Sequence, residues 1–154
     1  MTLFTAGIII IGDEILSGRT KDTNANFIAK NLISSGIKLE EIKVIQDNKE
    51  IIIDSVKIFS GKYNYVFTTG GIGPTHDDIT SESIAEAFNK KNEINKEAFN
   101  ILKKYYPDGE FNTSRQRMAK IPADSQLIYN PLTAAPGFIL NNVYVLPGVP
   151  KIME

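Results

Sequence analysis

Two short segments of the chain combine glycine with acidic residues, a combination that suits the binding of phosphate groups through a metal ion. The first segment, residues 12–18, begins with Gly-Asp-Glu, and the second, residues 68–80, carries three glycines followed by two adjacent aspartates. Glycine lets the backbone approach a ligand closely and turn its N–H groups toward an anion. Carboxylates are the oxygen ligands that Mg²⁺ prefers. The candidate metal ligands are Asp13, Glu14, Asp77 and Asp78.

The second segment differs from the two common phosphate-binding loops. It lacks the G-K-[ST] ending of a P-loop and the G-x-G-x-x-G spacing of a dinucleotide fingerprint. It also has no lysine to neutralise a polyphosphate, and a divalent cation is the obvious substitute. The structural alternatives are an ordinary glycine turn with a helix-capping aspartate and, at residues 12–18, a solvent-facing acidic loop. The candidate ligand-binding residues are Gly12, Thr69, Gly70, Gly71, Gly73, Pro74 and Thr75, and the hydroxyl of Thr68 is a further donor.

Four other polar residues have more than one interpretation. Asp47, taken alone, is an N-cap for the helix that follows it. His76 is either a general base or a surface histidine. Arg115 and Arg117 could hold a phosphate or carboxylate, and a solvated helix face is the simpler interpretation.

The elements that must position these residues alternate between strand and helix, with a polar loop at residues 12–21. This alternation predicts an α/β fold with a mostly parallel sheet, in which the flavodoxin-like strand order is 2-1-3. The carboxyl ends of strands 1 and 3 then flank the crevice where ligands bind, and each end carries one of the two segments. The predicted strands are 4–11, 42–45 and 65–69, and the predicted helices are 23–35, 49–60 and 81–89, the last with Thr80 as its N-cap.

The middle of the chain is less regular. Helical spacing at residues 93–106 and a short helix at 112–120 predict a helical excursion over residues 93–120. Pro150 opens another helix four residues before the end, so we expect further C-terminal elements in the full-length protein. Further strands are predicted at 126–129, 137–140 and 143–146.

The composition excludes several classes of function. With 17 basic and 18 acidic residues, the net charge is -1, so there is no basic excess to neutralise a nucleic-acid backbone. The absence of cysteine removes disulfides, thiolate metal sites and a cysteine nucleophile. The apolar run at residues 6–11 is too short to span a bilayer and is typical of a buried strand. We expect a cytoplasmic protein with neither membrane nor nucleic acid as a partner.

Four motifs occur in an order that resembles a known family. Together they resemble the MoaB/Mog-type molybdopterin-binding domain, and most closely the branch found in competence/damage-inducible protein A and its stand-alone relatives. The resemblance covers about residues 4–154 as a single domain, truncated at its C-terminus. The motifs are Gly12 to Gly18, Thr68 to Thr80, Ala135 to Phe138 and Leu146 to Pro150.

The resemblance implies a three-layer α/β sandwich that binds a phosphorylated small molecule, a nucleotide sugar or a pterin, with Mg²⁺ or another divalent metal. Similar domains in one branch bind molybdopterin and adenylylate it, and those in the other are metal-dependent pyrophosphatases acting on ADP-ribose. A non-catalytic nucleotide-binding module is a third interpretation. The resemblance also implies a homo-oligomer and gives Asp47 and Asp78 catalytic roles. The later motifs add the ligand-binding candidates Ala135, Pro136, Gly137, Pro147 and Gly148.

The segment before Phe138 departs from the family pattern at two positions. Thr133 stands where the family often has glycine, and Ala134 stands where it often has threonine. These differences change one backbone approach and one hydroxyl that relatives offer to the ligand.

Electrostatics adds a separate expectation about the acidic residues. If Asp13, Asp47 and Asp78 converge in the absence of metal, their mutual repulsion should raise the pKa of at least one of them. Adding Mg²⁺ should then stabilise the fold, and a melting temperature indifferent to millimolar Mg²⁺ would argue that these carboxylates do not share a site.

Overall fold

The computed structural model describes residues 3–130 and 135–147. Within these ranges no helix is both long and apolar enough to cross a bilayer. The strands are β1 (Phe4–Ile11), β2 (Ile37–Ile45), β3 (Tyr65–Thr69), β4 (Asn92–Ile94), β5 (Lys120–Pro122), β6 (Gln126–Ile128), β7 (Gly137–Leu140) and β8 (Val143–Leu146). The helices are α1 (Asp13–Leu16), α2 (Asn24–Ser34), α3 (Lys49–Lys62), α4 (Thr80–Ala87), α5 (Lys96–Tyr105) and α6 (Thr113–Gln116), with a 3₁₀ turn at Arg117–Ala119.

Six of the strands form one sheet in the order β2-β1-β3-β8-β7-β6. The pairs β1–β2, β1–β3 and β3–β8 are parallel, whereas β7 and β6 continue the sheet in antiparallel pairing. The predicted 2-1-3 order and the mostly parallel sheet are therefore confirmed. Because the order reverses between β1 and β3, a topological switch point lies at their carboxyl ends.

The sheet carries helices on both faces, which confirms the predicted three-layer α/β sandwich. Side chains alternate along β1, so Ile9 and Ile11 pack on the face that includes α3 and α4, whereas Ile8 and Ile10 pack on the face of α2. Both faces of β1 are buried, which explains its unbroken apolar sequence. The α2 layer is anchored by Ile28 and Leu32, and the opposite layer by Ile52, Val56, Phe59 and Ile84.

Local predictions around the switch point need correction. The predicted loop at residues 12–21 begins with the single-turn helix α1. Thr80 is the first residue of α4 and not its N-cap, a position that Ile79 occupies. The Thr80 hydroxyl is wholly buried and donates instead to the carbonyl oxygen of Gly70 at 3.0 Å, which ties the helix start to the glycine loop.

The excursion between α4 and β6 is not purely helical, so that prediction was partly wrong. Its first residues form β4, which pairs in antiparallel fashion with β5, and helix α5 begins only at Lys96, capped by the Asn95 side chain. β4 has only three residues, two of them polar, which is too short for a readable alternation, and its order comes from pairing with β5. The excursion has its own small core, formed by Ala98, Leu102, Met118 and Ala119.

Candidate ligand site at the strand ends

The fold brings most of the predicted motifs to one edge of the sheet. The parallel strands β1, β3 and β8 end there, and β7 begins there because it runs antiparallel to β8. The loops after β1 and β3 therefore meet Pro147 and the segment Ala135–Gly137 at the same edge. Gly148, Thr133 and Ala134 lie outside the described residues, so predictions about their ligand contacts stay predictions.

Asp13 and Asp47 form a reciprocal pair across the ends of β1 and β2. The Asp13 amide donates to Asp47 Oδ2 at 3.1 Å, and the Asp47 amide donates to Asp13 Oδ1 at 3.2 Å. The interpretation of Asp47 as a helix cap was wrong, because Asn48 caps α3 by accepting from the Ile51 amide at 3.1 Å. Asp47 therefore does not cap the helix, and its hydrogen bonds with Asp13 hold it next to the first acidic segment.

The pKa of the Asp47 carboxyl depends on its burial and on the acidic residues near it. Burial raises the pKa of this carboxyl above its ordinary value, and the hydrogen bond from the Asp13 amide opposes that rise. The negative charges of Asp13, Glu14 and Asp78 then raise the same pKa further. Carboxylates from two neighbouring loops therefore contribute to the raised pKa of Asp47, although burial is the largest cause.

The glycine loop approaches the neighbouring elements too closely for side chains. Gly70 and Gly71 have φ values of 94° and 75°, a region that favours glycine. A Cβ at Gly70 would collide with the carbonyl oxygen of Ile11, and one at Gly71 would collide with the Thr80 hydroxyl. These glycines therefore join the end of β3 directly to β1 and α4, and only glycine permits that approach.

Asp78 closes the glycine loop from its far end. Its Oδ2 accepts from the Thr75 amide at 2.9 Å and from the Thr75 hydroxyl at 2.8 Å, and Gly73 lies directly against the carboxylate. The Thr75 hydroxyl therefore orients Asp78 in this structure. Thr68 offers no donor to a ligand, because its side chain is wholly buried in the sheet.

Asp77 and His76 lie away from this acidic group. Their side chains are 79% and 88% exposed and contact each other at 3.3 Å. His76 is therefore a surface histidine in this structure, and Asp77 is not brought together with the other predicted metal ligands. Adjacent aspartates look equivalent in a sequence, but the turn at residues 75–78 directs only Asp78 back into the loop.

Two clefts flank the glycine loop. One lies between the strand ends and the segment joining α1 to α2, and it includes Glu14 and Thr69. The other lies between the loop and the excursion, and it includes Asp78. Residues lining the first are Ile10, Ile11, Glu14, Ile15, Thr20, Lys21, Asp22, Thr23, Asn24, Thr69 and Gly70. Residues lining the second are Ile72, Gly73, Asp78, Ser81, Glu82, Asn92, Arg117, Met118 and Lys120.

Sequence reasoning missed the contribution of the excursion to the second cleft. Arg117 was named as a residue that could hold a phosphate or carboxylate, with a solvated helix face as the simpler interpretation, and Lys120 was not singled out. Both reach the cleft because Met118 and Ala119 between them are buried in the core of the excursion. No local signal places either residue beside the glycine loop, since the contact joins segments about 40 residues apart in the chain.

Replacing Asp47 with asparagine should stabilise the fold at neutral pH. Because the folded pKa is raised, the folded protein binds more protons than the unfolded chain between pH 3.8 and the folded pKa, so stability falls as pH rises through that window. Asparagine keeps an oxygen for the Asp13 amide and avoids this loss. We expect a higher melting temperature for Asp47→Asn at pH 7, with the advantage shrinking toward pH 3.8. A variant less stable than wild type at pH 7 would contradict this prediction.

The fold and the site together define the class of the protein. It is an α/β domain whose polar loops gather at a switch point, the usual position of a ligand crevice in open parallel sheets. A family model described as a probable molybdopterin binding domain matches residues 7–154, and the chain belongs to that family. The resemblance inferred from the four motifs is confirmed.

Relatives of known sequence extend the match over almost the whole chain. The chain is 43% identical over 147 residues to a protein of Archaeoglobus fulgidus, covering 96% of this chain and 63% of that protein. It is 36% identical over 171 residues to a probable FAD synthase of Caenorhabditis elegans, covering 97% of this chain and 33% of that protein. The chain therefore spans less than two thirds of the length of these relatives.

Solved structures agree with the architecture. The crystal structure of protein CinA from Thermoplasma acidophilum, described there as having unknown function, superposes with a TM-score of 0.92 at 36% identity, covering 98% of this chain and 92% of that chain. The molybdopterin biosynthesis enzyme MoaB of Thermus thermophilus superposes with a TM-score of 0.62 at 15% identity, covering 98% and 85%. The second likeness shows the fold, and the first supports closeness to the CinA branch.

Proposed function

We propose that this domain hydrolyses a nucleotide pyrophosphate such as ADP-ribose with the help of Mg²⁺ or a similar divalent metal. The observation that carries the proposal is the reciprocal pairing of Asp13 and Asp47 at the strand ends, next to the glycine loop that Asp78 closes. Burial is the largest cause of the raised pKa of Asp47, and the negative charges of Asp13, Glu14 and Asp78 raise it further, so these carboxylates repel one another. A cation with phosphate oxygens around it would relieve that repulsion.

The donor set fits a metal that the substrate helps to hold. The hydrogen bonds between Asp13 and Asp47 engage one oxygen of each carboxylate, and Asp78 uses only Oδ2. Within the part of the chain that the structure describes, no three acidic or histidine side chains are grouped to hold a metal by themselves. Mg²⁺ commonly binds one or two carboxylates together with substrate phosphates and water, so Asp47 and Asp78 suit it.

Each residue then has a defined part in the reaction. Asp47, as a carboxylate beside the bound cation, would orient a water molecule and take one of its protons. The water oxygen bonds to one phosphorus while the bond from that phosphorus to the bridging oxygen breaks, which yields AMP and ribose 5-phosphate from ADP-ribose. Asp78 and the glycine loop position the phosphates. A bound metal supplies positive charge that offsets the charge developing on the phosphate oxygens.

The relatives support a ligand of this class. One relative is a probable FAD synthase, and FAD, like ADP-ribose, contains two phosphates joined through a bridging oxygen.

The proposal is tested by incubating the purified protein with ADP-ribose and millimolar Mg²⁺ and measuring AMP by chromatography. AMP formation that EDTA abolishes is the expected result, and an absence of AMP with Mg²⁺, Mn²⁺ and Co²⁺ would overturn the proposal.

A second candidate function is the binding or adenylylation of molybdopterin. The family description and the MoaB structure favour it. Calorimetric titration with molybdopterin, with and without Mg-ATP, distinguishes it from the first. Heat of binding to molybdopterin without cleavage of ADP-ribose would favour this alternative. If the protein binds nucleotide but Asp47 and Asp78 are both dispensable, the third interpretation, a non-catalytic nucleotide-binding module, is favoured.

Addition of Mg²⁺ should stabilise the folded protein. A ligand that binds only the native state at ten times its dissociation constant contributes about 1.4 kcal/mol. In a chain of this size that corresponds to a rise of about 3–6 °C in melting temperature. The measurement is a thermal melt with MgCl₂ against NaCl of equal ionic strength. The double variant Asp47→Asn/Asp78→Asn should lose the response, and an equal response in that variant would contradict a shared metal site.

A further inference from the structure

The second cleft carries positive charge that the glycine loop itself lacks. Arg117 and Lys120 line it from the excursion, opposite Gly73 and Asp78 of the loop. The loop and the excursion are separate in sequence, so their shared cleft exists only in the folded chain. The position suggests that the excursion contributes to ligand binding.

The two neighbouring arginines of the excursion have different surroundings. Arg115 donates to the carbonyl oxygen of Glu110 at 2.7 Å, and its guanidinium lies 4.4 Å from the centre of the Tyr106 ring. Arg117 and Lys120 form no ion pair with any described residue, and both side chains are exposed. Arg115 therefore supports the excursion, whereas Arg117 and Lys120 are available to a ligand.

The backbone that carries the two cations is held in place. Met118 and Ala119 lie between them in the core of the excursion, and the Ala119 carbonyl oxygen accepts from the Asn95 amide at 2.8 Å. Lys120 begins β5, where it pairs with Ile94 of β4. A fixed backbone lowers the entropy lost when two long side chains close on one group.

Other polar groups in the cleft indicate what kind of ligand would fit. The carbonyl oxygen of the Asn92 side chain is buried and has no hydrogen-bond partner among the described residues. A hydroxyl of a sugar would satisfy this acceptor. Asp78 and Glu82 also line the cleft, so two acidic groups balance the two cations. An anion should therefore bind the cations most strongly when a metal ion offsets Asp78.

We propose that Arg117 and Lys120 form a phosphate subsite, which holds the phosphoryl group of a pyrophosphate ligand that lies on the excursion side of the glycine loop. The proposal rests on the proposed function for the nature of the ligand. The carboxylates would bind one phosphoryl group with the help of a bound cation, and the subsite would bind the other directly through charge-assisted hydrogen bonds. The excursion thereby selects ligands that carry two linked phosphates over those that carry one.

The test is calorimetric titration with inorganic pyrophosphate and with inorganic phosphate, each with and without Mg²⁺. The variant is Arg117→Gln/Lys120→Gln. The control is Lys103→Gln/Lys104→Gln, which removes the same charge from exposed positions in the last turn of α5, outside the cleft. We expect the cleft variant to bind pyrophosphate about 10- to 100-fold more weakly. The control should stay within twofold of wild type, and the binding of single phosphate should change less.

Turnover of ADP-ribose by the same proteins separates this inference from the proposed function. If wild type binds pyrophosphate through the subsite but yields no AMP, the proposed function fails and the subsite stands. If wild type yields AMP and the cleft variant matches the control in KM and in pyrophosphate affinity, the subsite is overturned and the function stands. Equal losses of pyrophosphate affinity in the cleft variant and in the control also overturn the subsite. So does the absence of pyrophosphate binding by wild type at about 10 mM pyrophosphate.

A measurement on the wild-type protein covers the case in which the cleft variant does not fold. The side-chain Nε–H signal of Arg117 can be followed by NMR during the titration, with Arg115 as the internal reference. We expect a shift that saturates for Arg117 alone. A shift shared by both arginines, or confined to Arg115, would contradict the proposal.

Discussion

Asp78→Asn should lower kcat/KM for ADP-ribose by about 10²–10⁴-fold while leaving the fold intact. The loss follows from removing a negative charge that is needed to hold a cation against the phosphates. The fold should survive because the remaining amide oxygen of asparagine can still accept from the Thr75 amide, which now donates to Asp78 Oδ2 at 2.9 Å. The rate of AMP release, measured across a range of Mg²⁺ concentrations, is the readout.

A matched control is available on the surface of α3. Asp54→Asn removes the same charge from an exposed position outside both clefts, so its kcat/KM should stay within twofold of wild type. The Asp78→Asn variant should also lose most of its dependence on Mg²⁺. If Asp78→Asn retains more than a third of wild-type turnover, Asp78 has no catalytic role, and a non-catalytic nucleotide-binding module is favoured.

Gly70→Ala should destabilise the protein by about 2–5 kcal/mol, a large part of the total stability of a small domain. Two costs add. The residue has a φ of 94°, which alanine adopts only with strain, and the new methyl group would meet the carbonyl oxygen of Ile11. The collision is with backbone of the central strand, so relief requires β1 and β3 to separate at the switch point. Urea denaturation measures the change.

Two other glycines separate the two costs. Gly36 has a φ of 76° but no neighbour within 4 Å of an added Cβ, so Gly36→Ala should cost only the conformational strain, about 1 kcal/mol. Gly61 lies within α3 with neither problem, so Gly61→Ala should stabilise by up to about 1 kcal/mol. If Gly70→Ala costs no more than Gly36→Ala, the close approach to Ile11 is not limiting.

Strand and helix periodicity predicted the sheet well because burial leaves a local signature. β1 and β3 were predicted with their observed bounds, since strands covered on both faces are continuously apolar or β-branched. Helix α3 was recognised from Ile52, Val56 and Phe59, which are all buried. The order of these strands then followed from the general rules of parallel sheets, and so did the edge at which the two glycine-acid segments meet.

Polar contacts were predicted less well because several groups compete for each donor. Asp47 and Asn48 are both good caps, and only the position of Asp13 beyond β1 decides that Asn48 caps the helix. Threonine is a residue type that often caps helices, but the close approach of Gly70 lets the Thr80 hydroxyl donate to the Gly70 carbonyl oxygen instead. Local sequence offers such residues two partners, and the fold selects one.

The sequence by itself determined the class of fold, the family and the residue types available at the site: carboxylates, hydroxyls and glycine backbone, with no cysteine and a single histidine. These properties depend on composition and on short-range spacing, which the chain carries before it folds. Only the tertiary structure decided that Asp13 pairs with Asp47, that Asp78 turns inward while Asp77 faces solvent, and that Arg117 and Lys120 reach the cleft beside the glycine loop. Electrostatic coupling and cleft formation act through space between distant segments, and the distances that govern them are set when the sheet and the excursion pack.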